Sequence, residues 1–133
     1  MESEPRFLYA DSSALTKLIV REPESKALRS FVDERTNEIF TSRLAVVEVT
    51  RAVKLGAPDA LEDLEEMLAE ILFLDVSEDV VARAREIASP QLRTLDAIHL
   101  ASALEVDPDV LVAYDRRLVA GAQELGLAVV SPS

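Results

Sequence analysis

Four acidic residues of this chain lie inside or directly after apolar stretches, where an acid without a partner is costly to bury. Asp11 and Asp115 each follow an apolar run, whereas Glu48 and Asp96 each interrupt one. Four carboxylates gathered in one cleft would also repel one another, so protonation or a bound cation must offset that repulsion. Because Mg²⁺ and Mn²⁺ prefer oxygen ligands, the four acids together predict a divalent-metal site.

Short apolar runs rich in β-branched residues alternate along the chain with segments of helical periodicity. The predicted strands cover residues 6–10, 38–41, 72–76, 110–113 and 127–130. The predicted helices, with their caps, cover residues 12–20, 22–33, 42–55, 60–71, 77–88, 94–104 and 116–125. This alternation predicts an α/β layer sandwich with a mainly parallel sheet.

Capping and breaking residues mark the ends of several predicted helices. Ser42 and Ser77 are suited to accept hydrogen bonds from the first turns of the helices that follow them. Gly56 and Gly126 are suited to end helices, because glycine adopts the left-handed backbone of a helix terminus easily. Pro23 fits near the first turn of the second helix, where the missing N–H is not needed.

The predicted elements bring the four acids toward one edge of the sheet. In parallel α/β sheets, ligands bind at the carboxyl ends of the strands, where the strand order reverses. Asp11 and Asp115 fall at such strand ends, and Glu48 and Asp96 fall near the beginnings of helices that can face the same edge. Acids that span 104 sequence positions are therefore expected to meet in one crevice.

Each acid also has a purely structural interpretation. Asp11 and Asp115 are suited to cap the helices that follow them, although Ser12 could replace Asp11 in that role. Glu48 could form a surface pair with Arg51, one helical turn later. Asp96 could cap its own helix if that helix begins late, but an acid among apolar helix residues favours a functional role.

Several neighbouring residues remain open between a structural and a functional role. His99 is best explained by packing or by a supporting hydrogen bond, and its functional alternatives are to orient a carboxylate, to bind RNA or to carry a proton. Tyr9 and Tyr114 are expected to pack against the sheet. Arg116 and Arg117 either solvate the last helix or contact phosphate.

Composition restricts the possible classes of protein. With 133 residues, of which 49% are hydrophobic, the chain is expected to form a single domain, residues 1–133. The absence of cysteine excludes disulfides, thiolate metal sites and a cysteine nucleophile, and a single histidine excludes multi-histidine metal sites within one chain. The net charge of −11 argues against a general nucleic-acid binder, since lysine and arginine supply most of the affinity for phosphate.

The sequence also predicts where the protein works. The N-terminal residues 1–6 contain no basic segment followed by an apolar one, so a secretory signal is not expected. No apolar run approaches the roughly 20 residues that a membrane-spanning helix needs. A cytoplasmic protein with no membrane partner is therefore expected.

Four sequence blocks, in this order, resemble the PIN-domain family along essentially the whole chain. They are residues 9–15 (Tyr-Ala-Asp-Ser-Ser-Ala-Leu), 46–52 (Val-Val-Glu-Val-Thr-Arg-Ala), 95–101 (Leu-Asp-Ala-Ile-His-Leu-Ala) and 114–118 (Tyr-Asp-Arg-Arg-Leu). Within that family the chain looks most like the VapC-type toxins of prokaryotic toxin–antitoxin pairs. Each block alone is only moderately specific, but four in order are strongly so.

The resemblance implies a three-layer α/β/α sandwich with a mainly parallel central sheet, and endoribonuclease activity that depends on Mg²⁺ or Mn²⁺. It also implies an RNA substrate, a homodimer and a cognate antitoxin. Asp11, Glu48, Asp96 and Asp115 match the acidic quartet of the family. On this basis Asp11 and Asp96 are expected to hold a metal directly, Asp115 to share it or a second ion, and Glu48 to orient the attacking water.

Three other classes of protein share part of this pattern. A receiver-type signalling domain needs adjacent acids after the first strand and a late lysine, but the last lysine here is Lys54. A phosphatase of the haloacid dehalogenase type needs a second Asp two positions after the first, where this chain has Ser13. A PIN-like module that binds RNA or protein without cleaving remains the alternative to the nuclease.

Overall fold

The computed structural model describes residues 4–133, and five short apolar segments within them pair as strands of one sheet. Residues 1–3, part of the stretch considered above for a targeting signal, lie outside the described residues. The strands are β1 (Arg6–Ala10), β2 (Asn37–Ser42), β3 (Leu72–Leu74), β4 (Val110–Val112) and β5 (Val129–Val130). All four pairs of neighbouring strands are parallel, in the order β3-β2-β1-β4-β5.

Helices connect the strands and cover both faces of the sheet, which confirms the predicted α/β/α layers. They are α1 (Ser12–Ile19), α2 (Ser25–Asp33), α3 (Leu44–Gly56), α4 (Leu61–Leu68), α5 (Glu78–Glu86), α6 (Thr94–Val106) and α7 (Arg116–Glu124), with a 3-10 turn at Pro58–Ala60. In the described chain, no helix is long and apolar enough to cross a membrane.

Side chains of β1 alternate between two apolar cores, one on each side of the sheet. Leu8 and Ala10 join the core beneath α1 to α4, together with Val49 of α3. Tyr9 joins the core beneath α6 and α7, together with Leu100 of α6. The sheet is therefore buried on both faces, as parallel sheets generally are.

The sheet order places the reversal of the chain between β1 and β4. From β1 the chain adds β2 and then β3 on one side, and it returns to place β4 on the other side of β1. Leu8 is paired with Ile39 of β2 and with Val110 of β4, so β1 is the centre of the sheet. A ligand crevice is expected where β1 and β4 end.

Several predicted boundaries were wrong by a few residues, each for a local reason. Ser42 ends β2 and Arg43 precedes α3, although the Ser42 hydroxyl still accepts a hydrogen bond from the N–H of Leu44, at 3.2 Å. Pro23 precedes α2, which begins at Ser25. The helix predicted over 60–71 is shorter, because a 3-10 turn precedes it and β3 follows closely.

The glycine at the end of α7 adopts a backbone conformation that other residues rarely adopt. Gly126 has a φ of +82°, and its neighbour Leu127 donates its N–H back to the carbonyl of Ala122 at 3.0 Å. We expect Gly126→Ala to destabilise the protein by about 1–2 kcal/mol, because alanine is strained in this left-handed conformation. Urea unfolding monitored by circular dichroism measures the change.

Gly56→Ala is the matched control, because Gly56 ends α3 with open space around its Cα and without a positive φ. This control should stabilise the protein by about 0.4–1 kcal/mol through a less flexible unfolded chain. Equal effects of the two substitutions would contradict the proposed role of backbone strain at Gly126.

Candidate active site at the carboxyl edge of the sheet

Asp11 lies directly after β1, at the edge where the strand order reverses, and its side chain is only 4% exposed. Its Oδ1 accepts hydrogen bonds from the hydroxyl of Ser13 at 2.7 Å and from the N–H of Ala14 at 2.9 Å. The bond from Ala14 caps α1, so Asp11 has the structural role of a helix cap that the sequence predicted. Its Oδ2 receives no hydrogen bond from residues 4–133.

The environment of Asp11 disfavours its ionised form. Burial raises the pKa of Asp11 above its ordinary value, and the negative charge of Asp115 raises it further. The hydrogen bonds from Ser13 and Ala14 and the charge of His99 offset part of this increase in the pKa. A nearby cation would lower the pKa of Asp11 again, because it stabilises the carboxylate form.

Asp115 approaches the same edge from the end of β4. It is exposed, and its Oδ1 accepts hydrogen bonds from the N–H groups of Arg117 at 2.9 Å and Leu118 at 3.2 Å. These bonds cap α7, while its Oδ2 receives none from the described residues. Asp11 and Asp115 thus share one pattern, in which one oxygen caps a helix and the other has no protein donor.

Glu48 reaches this edge from α3 and is held there by two hydrogen bonds. Its Oε1 accepts the hydroxyl proton of Ser12 at 2.6 Å and lies 2.7 Å from Nε2 of His99. Burial alone would raise the pKa of Glu48, but the contacts with His99 and Ser12 outweigh it and hold that pKa below its ordinary range. The surface pair of Glu48 with Arg51 that the sequence allowed is absent from the described residues.

His99 and Tyr9 continue this chain of contacts into the core. His99 is 3% exposed, and its Nδ1 lies 2.8 Å from the hydroxyl of Tyr9, which is fully buried. The Tyr9 oxygen also accepts the N–H of Ser42 at 3.1 Å. Burial raises the pKa of Tyr9, so its hydroxyl keeps its proton. His99 is therefore packed in the core and also contacts the carboxylate of Glu48, which combines two of the roles that the sequence left open.

Asp96 lies at the third position of α6, one turn before His99. Its Oδ2 accepts the backbone N–H of Arg93 at 3.0 Å, so Asp96 also helps to cap its own helix. No hydrogen bond among residues 4–133 links Asp96 to Asp11, Glu48 or Asp115. Of the four predicted acids, Asp11 and Asp115 interact through their charges, Glu48 is held by Ser12 and His99, and Asp96 makes its hydrogen bond within its own helix start.

The contacts that Ser12, Ser13 and the hydroxyl of Tyr9 make in the site were not predicted from the sequence. Ser12 and Ser13 follow Asp11 and donate to Glu48 and Asp11, respectively. The alternation of side chains along β1 indicates the face of the sheet on which Tyr9 lies, but it does not identify the partner of the Tyr9 hydroxyl. The pair of serines directly after a strand-end acid was the available signal, since serine readily makes short-range hydrogen bonds at a helix start.

The donor atoms of this edge fit a hard divalent cation, although they do not form a closed cage. Within the described part of the chain, no three His, Asp or Glu side chains are grouped closely enough to hold an ion. Mg²⁺ keeps several waters and is commonly bound through one or two carboxylates, so a complete protein cage is not required. Asp11 and Asp115 each supply one oxygen that lacks a protein donor. Their negative charges repel each other, and a bound cation would relieve that repulsion.

Cations near the edge differ in how they are partnered. Lys17 is paired with Glu22 at 3.2 Å and Glu24 at 3.0 Å, and Arg43 is paired with Asp75 at 2.9 Å. Three exposed arginines at the starts of α6 and α7 form no ion pair with any described residue; these are Arg93, Arg116 and Arg117. Their guanidinium groups remain available to an anionic ligand.

Comparisons with known proteins agree with this fold. A family model described as the PIN domain matches residues 8–124. Ribonuclease VapC46 of Mycobacterium tuberculosis is 44% identical over 128 residues, which cover 95% of this chain and 98% of the relative. Ribonuclease VapC35 of the same species is 41% identical over 130 residues, covering 94% of this chain and 96% of that protein.

Solved structures show the same fold at low sequence identity. The VapC20 toxin of M. tuberculosis, described as cleaving the sarcin–ricin loop, matches with a TM-score of 0.74 at 16% identity, covering 94% of this chain and 99% of that one. VapBC2 of Rickettsia felis, bound to a promoter DNA fragment, matches with a TM-score of 0.73 at 13% identity, covering 96% of this chain and 99% of that one. The chain therefore belongs to the PIN-domain family, and within it the chain is similar to the VapC ribonucleases.

Proposed function

We propose that this chain, acting as one domain, hydrolyses RNA phosphodiester bonds at the edge formed by Asp11, Glu48, Asp96 and Asp115, with Mg²⁺ or Mn²⁺ as cofactor. The observation that carries the proposal is the pair Asp11 and Asp115, whose carboxylates repel each other where the sheet order reverses. Their capping bonds leave one oxygen of each without a protein donor. Relatives at 36–44% identity are ribonucleases, which supports the same chemistry here.

Asp11 and Asp115 would hold the cofactor, and Asp96 would complete the set through its Oδ1, which receives no hydrogen bond from residues 4–133. A bound divalent ion supplies charge neutralisation at the phosphate and makes water more acidic. Two carboxylates alone would repel an anionic substrate, so these acids need a cation before RNA can approach. The negative net charge of the chain makes this requirement stronger.

Glu48 would orient the attacking water. Its lowered pKa keeps the carboxylate ionised at neutral pH, so that it can accept a hydrogen bond from this water. Ser12 and His99 both contact Oε1, so Oε2 is the oxygen available to water. The mechanism requires no covalent nucleophile from the protein.

Arg93, Arg116 and Arg117 would bind the RNA backbone beside the acids. They lie at the starts of the helices that carry Asp96 or follow Asp115, and arginine binds phosphate through two hydrogen bonds at once. This small group of cations gives an acidic chain a local surface for RNA. It also explains how the substrate can be held at the edge without a basic surface elsewhere.

The proposed partners are a cognate antitoxin and a second copy of this chain, with no membrane partner, in the cytoplasm. Structures with the same fold include a toxin–antitoxin complex from Klebsiella pneumoniae, at a TM-score of 0.70. A groove between α1, α2 and α4 combines apolar residues such as Leu18 and Met67 with acidic ones such as Asp63 and Glu66. This combination suits a basic amphipathic segment of an antitoxin.

A PIN-like module that binds RNA without cleaving it is the alternative, and the observation that favours it is that no three acids among the described residues are grouped closely enough to hold an ion. RNA cleavage by purified, antitoxin-free protein distinguishes the two functions. Cleavage that requires Mg²⁺ or Mn²⁺ and stops with chelator supports the nuclease. Folded protein that binds RNA and metal but never cleaves supports the binding module.

Asp11→Asn should abolish metal-dependent cleavage, lowering the rate by more than about 100-fold, because the buried ligand charge is lost. Without metal, the same variant should unfold at a higher temperature than the wild type at neutral pH. The folded-state pKa of Asp11 is raised, so ionisation costs wild-type stability as pH rises through the window above about pH 4. The variant does not titrate there, and its advantage should grow with pH and then level off.

Thermal unfolding with and without Mg²⁺, from pH 4 to 8, measures this effect. Added Mg²⁺ should raise the unfolding temperature of the wild type and leave that of Asp11→Asn unchanged. Asp79→Asn, an exposed acid in the first turn of α5, is the matched control and should behave as the wild type. Full activity in folded Asp11→Asn would rule out the proposed role of this carboxylate.

Replacing Arg116 and Arg117 together with glutamine should weaken RNA binding and raise KM. If each contacts one phosphate, the slope of log K against log salt should fall by about 1.4 for a single-stranded substrate. Fluorescence anisotropy with labelled RNA at several salt concentrations measures both quantities.

Arg21→Gln with Lys26→Gln removes two exposed cations beyond the far end of α1 and is the matched control. That control should leave the salt dependence unchanged. Equal changes in the two double variants would show that only overall charge matters, and would contradict a specific role for the edge arginines.

A further inference from the structure

The contacts of Glu48 continue through His99 to Tyr9, and together they form one line across the edge of the sheet. Ser12 and His99 lie 2.6 and 2.7 Å from the same oxygen of Glu48. Tyr9 lies 2.8 Å from the other ring nitrogen of His99, and Ser42 donates its N–H to Tyr9 at 3.1 Å. These residues belong to α1, α3, α6, β1 and β2, so the line joins both helical layers to the sheet.

We propose that Tyr9 and His99 are positioning residues for the reaction: the Tyr9 hydroxyl fixes His99 with its Nε2–H toward Glu48, and His99 together with Ser12 holds the Glu48 carboxylate in its working orientation. The proposal rests on the function proposed above, since it assigns Glu48 a task in RNA hydrolysis. It adds two residues, neither of which touches the substrate, to the set that the reaction depends on.

The hydrogen-bonding groups of the line decide which ring nitrogen carries the proton. A carboxylate only accepts hydrogen bonds, so the nitrogen 2.7 Å from Glu48 must carry a proton. The Nδ1–H tautomer of neutral His99 would instead direct a lone pair at the carboxylate. The Tyr9 hydroxyl, which already accepts the N–H of Ser42, is then suited to donate to Nδ1.

Burial makes this arrangement rigid. Tyr9 is fully buried and His99 is 3% exposed, so water cannot readily replace either contact. No buried side-chain nitrogen or oxygen among the described residues lacks a hydrogen-bond partner, and both ring nitrogens of His99 and the Tyr9 hydroxyl have partners in this line. Fully satisfied polar networks in a low-dielectric interior hold their members in one geometry.

Glu48 needs such support because it comes from a different layer than His99. Glu48 lies in α3, on the side of the sheet that α1 also covers, whereas His99 lies in α6 on the other side. A glutamate side chain has several rotatable bonds, and the side chain of Glu48 is 28% exposed. Without His99, only Ser12 would restrict it, so the fraction of molecules with a correctly placed carboxylate would fall.

The single histidine of the chain makes the first test direct. Two-dimensional ¹H–¹⁵N NMR of metal-free wild type with labelled histidine reports which nitrogen of His99 is protonated, and it needs no catalytic activity. We expect a protonated Nε2, and a changed Nδ1 resonance in Tyr9→Phe. A neutral ring protonated only at Nδ1 would overturn the proposal, even if the variants below do not fold.

The second test separates positioning from simple structural support. His99→Leu keeps the bulk of the side chain but removes the donor to Glu48, and it should lower kcat on the order of 10–100-fold while KM stays unchanged. His99→Gln keeps an N–H donor at a similar distance along the side chain and should restore most of kcat. A folded His99→Leu protein with wild-type kcat, or a His99→Gln protein as impaired as His99→Leu, would overturn the proposal.

The wild type in the same cleavage assay distinguishes failure of this inference from failure of the proposed function. If the wild type cleaves RNA but His99→Leu and His99→Gln have the same kcat, the nuclease proposal stands and the positioning role is wrong. If the wild type does not cleave any RNA, the nuclease proposal fails, and the NMR result alone decides whether Tyr9 and His99 hold Glu48 as described.

Discussion

Both the fold and the site of this protein depend on the hydrogen bonds and the charge of the buried Asp11 carboxylate. It receives the hydrogen bonds that start α1, directly after the central strand of the sheet. It is also the acid whose ionisation is most clearly opposed by its surroundings, namely burial and the charge of Asp115. The protein thus keeps an acid whose ionisation is unfavourable without a cation, and such a compromise between stability and activity is common in active sites.

The same principle extends to the other acids of the edge. Asp115 and Asp96 each use one carboxylate oxygen for a helix cap, so the structural and functional interpretations of these residues are not alternatives. A cap fixes the position of a carboxylate at little cost, because the helix must satisfy its first N–H groups in any case. Helices that begin at the carboxyl edge of a parallel sheet therefore provide anchored oxygens where a ligand binds.

The sequence was sufficient to predict the layers, the parallel sheet and the positions of Asp11 and Asp115 at strand ends. Those predictions rest on local patterns, since apolar runs and helical periodicity depend on neighbouring residues. The partners of Glu48 could not be predicted, because Ser12 and His99 are 36 and 51 positions away and only the tertiary fold brings them together. The hydroxyl of Tyr9 was missed for the same reason, as its contact with His99 spans 90 positions.

The order of the strands has a consequence for when the protein becomes complete during synthesis. Leu8 of β1 pairs with Val110 of β4, so the strand that completes the edge beside Asp11 leaves the ribosome 102 positions later than Leu8. Chains emerge from the N-terminus at about 5–20 residues per second, and β1 can pair with β2 well before β4 exists. Asp115 lies beyond β4, and a nascent chain therefore holds Asp11, Glu48 and Asp96 without it. The acidic edge of this chain therefore remains incomplete until the segment after β4 has been synthesised.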